Sequence, residues 1–469
     1  TPIQQRFFDQ DLADAHHYNQ SILLEVGEKI DPALLKEAFS HLLEHHAALR
    51  LRFRKDESVW TQEIAPQNEF TLSEVDLSKL SEAELRPAIE ATLTAQQASL
   101  DLFTGPVIKA IVFQCAAHQP DRLSIICHHL VIDGVSWRIL LEDLETAYRQ
   151  LRQQETVQLP GTTTSFKRWA QSLFDYAQSP ELLNEQDYWV TQSLNITPFL
   201  PLDFAAGDNV ESSTETVMVS LEVEETDAIL HEVQSTLRAH INDILLTSLA
   251  HAFSQWTGER SLLVDLEGHG REPLIANLDL SRTIGWFTNI FPVVVDLGDE
   301  REPVAELRSV KEQLRRIPRN GTGYGALRYL AQENTEKQLL EFIQPQVLFN
   351  YFGQIDLVLS ESSLFRSATE YQGPQRSPRG KRAYLLEVEA SVVEGRLQSK
   401  WIYSRDVHKR ATVESLAENF LAALRSLIAS LHTQSSSNYT PSDFPRMTID
   451  QDELDELLAQ VNLSLEDAQ

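Results

Sequence analysis

Two apolar periods alternate along this chain and then start over midway, and this constrains its fold more than any other feature. Strand-like runs, in which apolar residues alternate or Ile and Val crowd together, are separated by stretches whose apolar residues recur every three to four positions. Asp31 to Leu49 reads as a helix: Asp31 is the N-cap, Pro32 sits in the first turn, and Leu34, Leu35, Ala38, Phe39, Leu42 and Leu43 form one face. Arg50 to Arg54, Pro106 to Phe113 and Leu123 to His129 read as strands, and Val135 to Leu151 returns to helical spacing. Phe166 to Trp189 predicts a helix leading into TPFLPLDFAAGDN at 197–209, where proline and glycine mark a boundary. The same grammar then restarts with a strand over Thr216 to Val223, helices over Glu225 to Arg238 and Ile241 to Thr257, and a strand over Ser261 to Glu267. Alternation of this kind specifies an α/β chain, and 469 residues exceed what one core usually serves. We expect two similar lobes, at 1–180 and 181–440, and a tail over 441–469. The Ser-rich run Thr433 to Asn438 and the acidic helical pattern Thr448 to Gln469 carry little core of their own and read as a linker or docking segment.

Charge and composition exclude several classes. A formal net charge of −29 argues against nucleic acid or an anionic membrane as partner, because phosphate is bound through clustered Lys and Arg. No apolar run approaches the roughly 18 residues of a membrane span, and no signal peptide opens the chain. Cys115 and Cys127 are the only cysteines, which rules out a disulfide framework or a cysteine zinc site and fits a reducing cytoplasm. The chain opens at Thr1 inside a helical pattern with no initiator Met, and reads as excised from a longer polypeptide.

Three adjacent histidine pairs invite a search for chemistry. His45-His46, in LLEHHAALR, reads as a solvated helix face, and His16-His17 as part of a polar loop. His128-His129 differs: it ends the apolar run LSIIC and is followed by LVIDG. Neighbouring strand side chains point to opposite faces, so only one imidazole can serve a given site and the other must be packed or hydrogen-bonded. On spacing alone, a reactive edge and a satisfied core histidine fit this pair equally well.

The stretch CHHLVIDGVSWRILLEDLETAY carries the HHxxxDG signature and resembles the condensation-domain superfamily of non-ribosomal peptide synthetases, its epimerisation branch in particular. TPIQQRFF, EGHGRE at 267–272, RTIGWFTNIFPV at 282–293, GTGYGALRYL at 321–330 and PQVLFNYFGQ at 345–354 agree in order, so the likeness covers nearly the whole chain. It implies two lobes similar to chloramphenicol acetyltransferase, an α+β sandwich each, set in a V with a tunnel between them. Through that tunnel the phosphopantetheine arm of an upstream peptidyl carrier protein would bring the substrate; the chain itself is expected to bind no cofactor or metal. A downstream synthetase is a further expected partner, through the tail. The resemblance makes His129 catalytic and sets Glu267 opposite it from the other lobe. His128, Asp133 and Gly134 become supporting residues, and Arg282 the cation paired with Asp133. GTGYG lacks the GK[ST] ending of a phosphate loop and is expected to be a flexible segment near the tunnel.

The implied reaction inverts the α-carbon of a carrier-bound aminoacyl or peptidyl thioester through an enolate. One group takes the proton from one face and a second returns one to the other. Histidine titrates near neutrality, whereas Glu267 needs a pKa raised by burial. The thioester α-carbon still lies roughly ten or more pK units above imidazole, so proximity and enolate stabilisation must supply well over ~10 kcal/mol. Asn350 and Tyr351 are the candidate enolate donors, though polar residues closing a buried strand would look the same. Glutamate before Gly268 at a strand end is, by itself, an ordinary surface residue; Gly268 and Gly270 hint at close backbone approach. Trp137, Trp286 and Phe287 read as wall or core. The alternatives are a condensing domain that needs His129 without Glu267, and a catalytically silent platform of the same fold.

Overall fold

The computed structural model describes residues 1–57, 59–66, 70–191, 199–331, 344–354, 363–431 and 439–444, and in the tail 451, 453, 454, 456 and 457. The Thr433 to Asn438 run and most of Thr448 to Gln469 therefore lie outside the described residues. The fold is mixed α+β and holds two large sheets. The strands are β1 (Asn19–Val26), β2 (Leu51–Asp56), β3 (Val59–Ile64), β4 (Leu72–Asp76), β5 (Ile108–Gln114), β6 (Asp121–His128), β7 (Thr214–Ser220), β8 (Ser261–Gly268), β9 (Asn289–Asp296), β10 (Val347–Gln354), β11 (Phe365–Ser367), β12 (Leu386–Val393) and β13 (Arg396–Ser404). The first sheet runs β11-β1-β6-β5-β4 and the second β7-β13-β12-β10-β8-β9, while β2 and β3 form a separate ribbon.

Strand β6 explains its own sequence. It lies between β1 and β5, antiparallel to both, and every residue from Asp121 to His128 is buried. Both faces are covered, so apolar residues crowd Leu123 to Cys127 with only Ser124 between them, and the strand does not alternate with exposed polar positions. In the second sheet β10 runs parallel to both β8 and β12, which sets Asn350 beside Glu267 in register. Helix Pro32–His45 packs on helix Gly134–Arg152, and Ile241–Thr257 packs on Arg410–Ser430.

The two halves of the chain are interleaved. Strand β11, from the second half, adds to the edge of β1 through Leu24↔Ser367, Glu25↔Arg366 and Val26↔Phe365. Helix Pro2–Asp9, from the first half, packs on helix Thr322–Leu330 and on β9. One apolar core cluster accordingly contains residues from both sheets. Two expectations fail locally. The long helix over Phe166 to Trp189 is three pieces, Phe166–Ala177, Pro180–Leu183 and Gln186–Thr191, because Pro180 forces a fresh start that Ser179 caps. GTGYG is not a flexible loop either: Thr322–Leu330 is a helix in which Gly323, Tyr324 and Gly325 are buried. No helix among the described residues is long and apolar enough to cross a membrane.

Phe365 is 2% exposed and carries the strand by which the second half joins the first sheet. Phe365→Ala should cost about 3–5 kcal/mol and lower the urea midpoint of both halves together. Unfolding followed by fluorescence and by circular dichroism checks this; a transition confined to one half would refute the interleaved core.

Candidate active site

The HHLVIDG turn places two histidines in opposite roles. His128 closes β6, is fully buried, donates from Nε2 to the Ala15 carbonyl at 2.8 Å and accepts at Nδ1 from Leu130 N–H at 3.1 Å. Both nitrogens are committed, and burial pushes its pKa down to about 3. His128 is thus a neutral structural residue. His129 enters a short 3₁₀ turn, donates from Nδ1 to the Ile132 carbonyl at 2.8 Å, and turns Nε2 toward Gln20 at 3.0 Å. Its ring stacks on Trp286, centroids 4.3 Å apart, and burial lowers its pKa to about 4. At neutral pH it is an uncharged base.

Two cavities meet at this imidazole. One is lined by Arg6, His17 and Tyr384 among others; the second by Gln20, Asn350 and Glu389 among others. Tyr18, His129, Glu267, Leu348, Arg376 and Glu387 belong to both walls, so residues from both halves of the chain surround one space. Glu267 sits near the end of β8 and makes no side-chain hydrogen bond among the described residues. Burial first, then the neighbouring carboxylates of Glu389 and Glu387, push its pKa up to about 7, against partial relief from Arg376 and Arg6. Two residues earlier on the same strand face, Asp265 accepts from Tyr384 Oη at 2.6 Å and from Arg6 at 3.1 Å.

Asp133 holds the turn. Its carboxylate accepts from Ser136 N–H at 2.8 Å, capping helix Gly134–Arg152, from Phe287 N–H at 3.0 Å and from the Arg271 guanidinium at 3.1 Å. The expected Asp133–Arg282 pair does not form. Arg282 instead reaches Asp143 and Glu142, roughly three turns further along the same helix, because the 282–287 segment crosses that helix with its backbone, not its arginine, against Asp133. Arg271 belongs to the same EGHGRE segment as Glu267, the one signal in the sequence that could have named it. Gly270 in that segment has φ +65°, and a Cβ there would lie 1.8 Å from the Phe287 carbonyl; Gly268 is under no such constraint. Gly134 is exposed, with nothing within 4 Å of where a Cβ would stand.

The remaining candidates separate. Asn350 lines the second cavity, whereas Tyr351 points to the other side of β10, packs on the core and lines neither cavity. Trp286 is wall, as expected, but Trp137 also donates to Gln20, and Phe287 lies under Arg271 at 4.0 Å. His46 is not solvated: it is 6% exposed and bonds Asp143 at 2.8 Å, because the helix ends at His45 and turns it inward. His45, His46 and Asp143 come close enough to hold a cation, though Arg282 already supplies Asp143 with positive charge. His17 lines the first cavity. Cys115 and Cys127 are buried, and burial raises both thiols. The sequence reading missed Gln20 and Arg376; the latter bonds Glu211 at 3.2 Å and Glu387 at 3.3 Å and lies over the Tyr18 ring.

Comparison with known proteins identifies the family. A family model described as "Condensation domain" matches residues 1–449. A linear gramicidin synthase of Brevibacillus parabrevis is 45% identical over 471 residues; the alignment covers 99% of this chain but only 6% of that protein, so the chain spans a small fraction of the relative's length. The solved epimerization domain from the third module of tyrocidine synthetase B superposes with a TM-score of 0.86 at 35% identity, over 92% of this chain and 97% of that one. The condensation domain of monacolin K polyketide synthase superposes with a TM-score of 0.72 at 15% identity over 93% and 98%, a likeness of fold alone.

Two outcomes test the site's energetics. Asp133→Ala should cost about 3–5 kcal/mol in chemical denaturation by stranding buried Arg271. A double-mutant cycle should couple Asp133 to Arg271 and not to Arg282; the reverse would reject the assignment. The raised pKa of Glu267 favours the fold at low pH, and that stability is lost as pH rises between its ordinary value of 4.5 and about 7. Glu267→Gln should therefore gain melting temperature relative to wild type from pH 5 to pH 8; a constant difference would contradict the raised pKa.

Proposed function

The chain belongs to the condensation-domain family, and within it we propose that it epimerises the α-carbon of an aminoacyl or peptidyl thioester in non-ribosomal peptide synthesis. The substrate arrives on the phosphopantetheine arm of a carrier domain, and the tail offers a contact to a downstream synthetase. The observation that carries this reading is that His129 and Glu267 line one space, where burial lowers the pKa of the imidazole to about 4 and raises that of the carboxyl to about 7. A condensing domain has no use for a protonated glutamate at that place, and a silent platform has no use for either group.

The chemistry follows from that distribution. His129 Nε2 takes the α-proton as the C–H bond breaks, and the electron pair moves onto the thioester oxygen as an enolate. Glu267 then gives its carboxyl proton to the other face of the α-carbon, which restores the thioester with inverted configuration. The pair ends as imidazolium and carboxylate, which is the state needed to run the reaction backwards. Asn350, in register beside Glu267 and lining the same cavity, is the donor we assign to the enolate oxygen.

Both starting states carry a single proton between the two groups, so one pH profile should govern both enantiomers. Turnover efficiency should fall below about pH 4 and above about pH 7. Loading the carrier in turn with L and D thioesters in deuterated water tests this directly. Deuterium should enter the α-carbon from either isomer, and His129→Ala or Glu267→Gln should reduce its entry by at least about 10²-fold. Amide formation without exchange would replace this reading by condensation.

A further inference from the structure

The atom that takes the α-proton in the proposed reaction already has a partner. Because the Ile132 carbonyl can only accept, His129 Nδ1 carries the ring hydrogen and Nε2 presents a lone pair. Gln20 Nε2–H donates to that lone pair at 3.0 Å. The carboxamide cannot turn round, since Trp137 Nε1–H, which can only donate, holds Gln20 Oε1 at 2.8 Å. Each member of this relay is fixed by the fold. Gln20 lies in β1, in register with Cys127 of β6, and Trp137 sits in the first turn of the helix that Asp133 caps.

We infer that Gln20 is a positioning residue for the proton transfer: locked by Trp137, it keeps His129 Nε2 in its free-base form until substrate takes the place of its N–H, and it offers no acceptor once that nitrogen is protonated. An imidazolium would set its Nε2–H against the amide hydrogens of Gln20, two donors facing each other. The proton on Nε2 can then be accepted only by a group inside the cavity, the substrate or the Glu267 carboxylate, so the transfer is biased to return. The other charged and titratable groups facing His129 are Asp133 from the helix start, Arg376 and Glu387 across the cavity, Glu267, Tyr18 and His128. Asp133 favours the imidazolium and Arg376 disfavours it. Gln20 is the group whose hydrogen-bonding sense can be reversed by a single isosteric change.

This inference rests on His129 being the base, and its test separates the two ideas. Gln20→Glu supplies an acceptor to both Trp137 and His129, and Trp137→Phe frees the carboxamide to turn its oxygen toward Nε2. The His129 ring is followed by ¹⁵N nuclear magnetic resonance across pH in wild type and both variants, alongside α-deuterium exchange. In Gln20→Glu the titration of His129 should rise by about one pH unit or more, a tenfold change in proton affinity. The acidic limb of the exchange profile should move with it, and Trp137→Phe should shift both in the same direction by less. If His129 titrates as in wild type in both variants while their thermal melts are unchanged, the role of Gln20 is overturned. If the titration moves but wild type exchanges no deuterium, Gln20 still governs His129 and the epimerase reading fails instead.

Discussion

A buried carboxylate must be paired and hydrogen-bonded or it will not stay ionised, and the organisation of this protein around Asp133 follows from that requirement. Asp133 is 4% exposed, and each of its bonds fixes something the site needs. The bond from Ser136 N–H starts the helix that carries Trp137. The bonds from Phe287 N–H and Arg271 draw in the segments before β9 and after β8, which brings Trp286 onto His129 and keeps Glu267 at the same cavity. One side chain thereby joins the turn bearing His129 to the strand bearing Glu267.

A second constraint decides which acid holds a proton. Carboxylates crowd this cavity, yet most have a cation of their own. Glu387 lies with Arg376 and Arg382, Glu389 with Lys400, Glu211 with Arg376, and Asp265 with Arg6. The pKa of Glu387 is accordingly lowered. Glu267 has no such partner among the described residues and is surrounded by the others' charge, so protonation is the cheaper way for it to be buried. The same arithmetic explains why a chain so acidic overall can concentrate Arg376 and Arg6 around one space.

Much of this is legible in the sequence, for definite reasons. The apolar run ending at His128 predicts a strand covered on both faces, and Asp133-Gly134 marks the turn and cap that place His129. The raised pKa that the proposed chemistry demands of Glu267 appears in its surroundings. Other readings fail where a property is set by contacts distant in the chain. Resemblance pairs Arg282 with Asp133, yet choosing between two arginines 11 positions apart needs the path of the backbone across a helix. GTGYG reads as loose because glycine is permissive, but the helices it packs between decide otherwise. Asn350 and Tyr351 are equal candidates in the sequence, and the pleat of β10 sets them on opposite sides.

The amino-acid order alone therefore determined the alternation of strands and helices, the family signature, and the presence of an imidazole at the end of a buried strand. These depend on local periodicity and on side chains a few residues apart, which a sequence contains. Tertiary structure decided which carboxylate would be protonated, which arginine would neutralise Asp133, and that Gln20 and Trp137 would hold the lone pair of His129. Those outcomes depend on burial and on distances of about 3 Å between residues more than a hundred positions apart, and only strand pairing and the packing of helices and segments from both halves set them.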